Sequence, residues 1–150
     1  MNRRHLFGLA AGAATAATAL RASDTMDHGG HDHSGHDHSA HGKHASLAVA
    51  SADCGAKAVA CQAHCIVLIK AGDTSIIDCL TSVTDLVPTA AALKALASSA
   101  SPHLGHMASA ARMVVKACET ECLKHAEDHA ECKACADSCA ALIKEIDALA

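Results

Sequence analysis

The chain has 150 residues, a formal net charge of −4 at pH 7, 51% hydrophobic residues and only 1% aromatic ones. That length suits one sizeable domain, and an acidic balance without basic runs excludes a nucleic-acid or anionic-lipid binder. With no Trp or Tyr, any core must be built from small aliphatic side chains and the nine cysteines.

The first 22 residues read as an export signal. Arg3 and Arg4 precede a short, weakly apolar run of Ala, Gly and Thr that ends at Leu20, which is the pattern of a twin-arginine signal. The run is too short for a comfortable membrane span. Small residues offer cleavage after Ala19 or after Ala22. The expected location is the periplasm or another extracytoplasmic space, reached after folding. Loss of Arg3, Arg4 and Arg21 with the signal leaves the mature chain more acidic still.

Residues 23–45 carry His28, His31, His33, His36, His38, His41 and His44 among Gly, Ser and Asp. Nothing apolar there could anchor a fold, so the composition predicts a disordered tail. Its imidazoles and carboxylates suit loose capture of divalent copper, zinc or nickel.

Residues 46–150 turn Ala-rich and apolar, with helical periodicity. A first helix is expected from Ser46 or Ser51 to Lys70, closed by Gly72, with Asp73 as cap of the next helix. The second carries Ile76, Ile77, Leu80, Val83, Leu86, Val87, Leu93 and Leu96, with a kink or break expected near Val87 because Pro88 follows. Ser101 and Pro102 have the form of a cap and first-turn residue for the third. The polar run Lys124–His129 is the natural turn before the fourth, where Asp128 and Glu131 resemble a capping box. The prediction is an all-α, antiparallel up-down-up-down four-helix bundle with a cysteine-lined core.

The thiols are Cys54, Cys61, Cys65, Cys79, Cys118, Cys122, Cys132, Cys135 and Cys139. Within clusters they recur at three, four or seven residues, which stacks them on one side of a helix. An up-down topology sends most of them to one end of the bundle, with Cys61 and Cys139 one step further in and Cys54 alone towards the middle. The opposite half is left to Leu, Val, Ile and Ala. Pairs such as Cys61/Cys65, Cys118/Cys122 and the Cys132/Cys135/Cys139 steps can each hold an ion between two sulfurs of one helix. Thiolates select soft metals. Zinc asks for a closed four-ligand tetrahedron, and one such site would not use nine cysteines. A ladder of paired thiolates favours several copper(I) ions per chain. A disulfide scaffold is disfavoured by the odd count and the same-helix spacing.

The segment Ala117–His125, followed by His129–Cys139, resembles the cysteine-rich repeat of bacterial copper storage proteins, a four-helix-bundle family. The resemblance spans roughly residues 46 to 149. It implies copper(I) ligation by cysteines inside the bundle, a storage or sequestration role without catalysis, and, for exported members, a twin-arginine signal. This chain departs in having fewer cysteines than the fuller members and only Cys79 on its second helix, which implies lower capacity confined to one end.

Other side chains are candidates for passing ions. His64, His125 and His129 border the expected thiol end. His103, His106 and Met107 gather at the opposite end, with Met113 further in. Candidate partners are copper ions, a copper-delivering or copper-accepting protein, and a second copy of the chain. Competing readings are a periplasmic copper or zinc metallochaperone and a disulfide-stapled helical interaction module. No nucleophile triad or phosphate loop argues for an enzyme.

Overall fold

The computed structural model describes residues 42–149, so the signal and the tail histidines His28 to His41 lie outside the described residues. Four helices follow one another: α1 (Ala45–Lys70), α2 (Ile77–Ser98), α3 (Leu104–Leu123) and α4 (Ala130–Asp147). The loops between them are short, so neighbours in sequence run antiparallel. Helix α1 packs on α2 and α4, and α3 packs on the same two, which makes a square bundle with α1 and α3 on one diagonal.

The reason these segments pair is visible in what they bury. The buried positions are Leu47, Ser51, Cys54, Ala58, Cys61 and Cys65 on α1, and Cys79, Val83, Leu86, Ala90, Leu93 and Ala97 on α2. On α3 they are Leu104, Ala108, Ala111, Val115, Cys118 and Cys122. Every run advances by alternating four- and three-residue steps, the seam of a knobs-into-holes bundle. Helix α4 keeps the same seam through Cys132, Cys135, Cys139, Leu142 and Ile146, widened by Ala136 and Ser138. Cysteine therefore takes the place of Leu or Val at nine seam positions. The two buried hydroxyls are satisfied inside their own helices: Ser51 donates to the Leu47 carbonyl and Ser138 to that of Cys135.

The helix ends show where local rules held. Gly72 at φ +98° closes α1: its N–H reaches the Ile69 carbonyl while the Asp73 N–H reaches that of Leu68. This is the paired-bond C-terminal motif that a left-handed residue permits. The same motif ends α2, where Ser101 N–H bonds Leu96 and Ala100 N–H bonds Ala97, with Ala100 at φ +47°.

Four expectations about helix ends and interiors need correction. Helix α2 runs unbroken through Pro88. The proline is exposed, as is Thr84, whose carbonyl loses its helical partner, so solvent can stand in for the missing bond. Asp73 does not cap α2. It accepts from the N–H and hydroxyl of Ser75, shaping the turn, and the helix starts later. Ser101 likewise accepts from the His103 N–H inside a turn, and α3 begins only at Leu104. The Asp128/Glu131 capping box does not form; His129 precedes α4 without a side-chain cap, and Glu131 turns to His64 instead.

Candidate metal centre

All nine cysteines are free and fully buried. They enter the core from four helices: Cys54, Cys61 and Cys65 from α1, Cys79 from α2, Cys118 and Cys122 from α3, and Cys132, Cys135 and Cys139 from α4. Because α1 ends, α2 begins, α3 ends and α4 begins on the same side, the thiols fill that half of the bundle. Ile76, wholly buried just before α2, lies at that end as well. The far half is closed by Leu47, Leu93, Ala97, Leu104, Ala108 and Ile146.

The sulfurs touch one another across helices. Cys61 Sγ lies 3.9 Å from Cys79, 3.9 Å from Cys122 and 3.8 Å from Cys132. Cys79 Sγ is 3.8 Å from Cys65 and 3.7 Å from Cys122. Cys118 Sγ is 3.8 Å from Cys122 and 3.9 Å from Cys135. Deeper in, Cys54 and Cys139 stand 3.8 Å apart. Cys54 is thus not isolated: α4 carries Cys139 to its level.

Three groups have their sulfurs within 4.8 Å of one another: Cys61/Cys65/Cys79/Cys132, Cys61/Cys122/Cys135 and Cys118/Cys135/Cys139. Cys61 belongs to two groups and Cys135 to two, while Cys54 joins through Cys139, so the nine sulfurs form one continuous network. The expectation of ions held between two sulfurs of a single helix captures only part of this. Most close pairs bridge different helices, and Cys118/Cys122 is the same-helix pair in direct contact. With a metal–sulfur bond of about 2.3 Å, four sulfurs around one ion stand about 3.8 Å apart and three stand about 4.0 Å apart. The sulfurs in contact already stand at those spacings, and the remaining pairs of each group, all within 4.8 Å, need to close by at most about 1 Å.

Burial and mutual contact divide the thiols into proton donors and acceptors. Burial, then the neighbouring Cys61, pushes the Cys65 and Cys132 thiols up. Contact with Cys118 pushes Cys122 and Cys139 up as well. Cys118 is held down, first by the S–H of Cys122. Cys135 is raised by Cys118 but more than offset by Cys122, Cys139 and Cys61, which bring it down to about 5. Cys54 is lowered by Cys139 and then by the Ser138 hydroxyl. Two serines not singled out from the sequence lie near the thiols, Ser138 by Cys54 and Ser82 by Cys118, although each hydroxyl donates to a carbonyl of its own helix, that of Cys135 and that of Cys79. Each lies one residue from, or three residues after, a cysteine of its own helix, which is the signal that was available.

The flanking candidates separate by position. His64 is half-buried and its Nε2 lies 3.1 Å from His129 Nδ1, with the His125 ring centroid 6.4 Å from that of His129. Glu131, not singled out from the sequence as a site residue, lies 3.6 Å from His64 Nδ1. At the opposite end, His103 and His106 are exposed and Met107 packs partly against the core. Met113, further along α3, is 72% exposed because it falls off the α3 seam. His44 immediately precedes α1, and the other tail histidines lie outside the described residues.

The molecule is therefore an all-α, cysteine-rich four-helix bundle whose buried thiol groups can coordinate metal ions. No protein-family model matches the chain, and no curated protein matches it.

Proposed function

We propose that this protein is an exported copper(I) store of the bacterial copper storage type, which sequesters several ions on its cysteines and catalyses nothing. The carrying observation is the sharing of sulfurs: Cys61 and Cys135 each serve two groups, so neighbouring ions would be bridged by common thiolates. Bridged clusters suit an ion content with two or three soft ligands, and thiolates select monovalent copper. A network of nine sulfurs also exceeds what one closed zinc tetrahedron uses. The paired arginines at the N-terminus support release into the periplasm, and the histidine-rich stretch supports capture of metal on the way in. Copper is cargo here, gained and surrendered, and candidate partners are the proteins that deliver or accept it.

The test is a titration of fully reduced protein with copper(I) against a competing chelator. Several ions per chain at tight, chelator-resistant affinity are expected; one ion or none overturns the reading. A second reading has one observation in its favour. Cys61, Cys65, Cys79 and Cys132 form a four-sulfur group of the kind zinc prefers. A zinc carrier would take up a single zinc ion that copper(I) does not exceed in number.

A further inference from the structure

The rim of the thiol end carries a second donor set of different chemistry. His64 comes from α1 one residue before Cys65, His129 from the turn before α4, and Glu131 from the first turn of α4 one residue before Cys132. His64 Nε2 and His129 Nδ1 face each other at 3.1 Å, with ring planes inclined at 58°. Two imidazole ligands of one tetrahedral ion, bound at about 2.0–2.1 Å, stand about 3.3 Å apart. Opening the pair by a few tenths of an ångström makes room for the ion. Glu131 Oε2 sits on the other side of His64, 3.6 Å from Nδ1. By closing about half an ångström, that carboxylate would accept from Nδ1–H and leave Nε2 free for an ion, the relay that commonly supports a metal-bound histidine. His125 is tied to the same turn, since the His129 N–H bonds its carbonyl at 2.9 Å, and its ring is 6.4 Å from that of His129.

We propose that His64 Nε2 and His129 Nδ1, with Glu131 positioning His64, form a binding site for a divalent cation of the zinc class at the rim of the thiol end. Nitrogen and oxygen donors prefer such ions over the soft monovalent metal that suits the thiols. The site goes beyond the storage reading and does not depend on it. An ion held there ties the end of α1 to the α3–α4 turn, next to the buried Cys65 and Cys132.

The test is a titration of the reduced full-length chain with zinc, followed by nitrogen-15 NMR of the histidine side chains, which resolves rim from tail imidazoles. The expected result is that His64 Nε2 and His129 Nδ1 shift together and saturate within the first equivalents. Glu131→Gln weakens that step about 10-fold or more while helix content is unchanged. Cobalt(II) as a spectroscopic stand-in gives d–d bands without intense sulfur charge transfer for the rim ion. The inference is overturned if zinc moves only tail imidazoles, if the first cobalt ion shows thiolate charge transfer and leaves both rim rings unmoved, or if Glu131→Gln binds as the parent does. Should His64→Gln or His129→Gln fail to fold, the Glu131→Gln comparison and the direct shifts still decide the matter.

Discussion

Cys54 and Cys139 meet at 3.8 Å in the deepest layer of the thiol half, although 85 residues separate them in sequence. Cys54 reaches the network through this contact, whereas Cys61 touches Cys79, Cys122 and Cys132. The two residues should therefore differ as mutants. Cys54→Ser should lower copper(I) capacity by about one ion, and Cys61→Ser by more, because two groups lose a member. In the apo protein each buried hydroxyl must find a partner, at a cost of about 1–3 kcal/mol if it finds none. Chelator-competed titrations and urea unfolding of both variants check the ordering. Equal losses would mean that the ions do not share Cys61.

The raised thiols set a pH dependence for the metal-free bundle. Burial, then the neighbouring Cys61, lifts Cys65 and Cys132 above the ordinary thiol range. A group whose folded value is raised contributes stability that is present in full below its unfolded value, about 8.5. That contribution is lost as pH rises from there through the folded value. The apo protein should lose stability in alkali through these two residues. Cys65→Ser and Cys132→Ser should flatten the alkaline limb of a stability–pH profile measured by urea unfolding. Copper loading should flatten it too, since metal replaces the protons involved.

Two backbone substitutions of opposite sense should both stabilise the fold. Ala100 ends α2 at φ +47°, where an L side chain costs about 1–2 kcal/mol and glycine costs little. Ala100→Gly should recover about 1 kcal/mol. Gly55 is the converse case: it lies inside α1, and a Cβ there would meet Ala90 Cβ at 3.6 Å, ordinary contact. Gly55→Ala should gain about 0.5–1 kcal/mol from helix propensity. Denaturant midpoints measure both, and copper stoichiometry should not change: the added Cβ at position 55 meets Ala90 rather than a sulfur, and Ala100 sits at the end of α2 away from the thiols.

What was legible in the sequence follows from what sequence spacing controls. The four-and-three recurrence of Cys, Leu, Val and Ala fixes which face each helix buries, so the bundle and its thiol-rich half could be read directly. Register between helices is another matter. At about 1.5 Å per residue, an error of a few residues in where a helix begins decides which side chain lies opposite. That is why Cys54 looked solitary and Cys139 did not show as its neighbour. Met113 lies further along α3 than His103, His106 and Met107, but it falls between Ala111 and Val115 of the seam and so faces out. Capping was the least legible feature. Asp73, Ser101 and Glu131 all have polar groups that could serve a helix end, but each finds a nearer or better partner in Ser75, the His103 N–H and His64. Pro88 could be read as a helix breaker only while its exposure was unknown.

A preformed site binds without rebuilding the protein, and this sets the last expectation. The sulfurs in contact already stand 3.7–3.9 Å apart in the free protein, those of each group lie within 4.8 Å, and all four helices are formed. Loading should then leave far-ultraviolet helix signal nearly constant. It should nevertheless raise resistance to unfolding steeply, because the unfolded chain offers no such arrangement of thiols. A ligand at 1,000 times its dissociation constant adds about 4 kcal/mol per site. Several chelator-resistant ions would carry the bundle well past its apo stability. Thermal melts at increasing copper(I) per chain should rise in steps with ion number, and a chelator strong enough to strip the metal should return the apo melt. A large gain in helix on loading would instead mean that the free bundle is not assembled, and that the ions fold it.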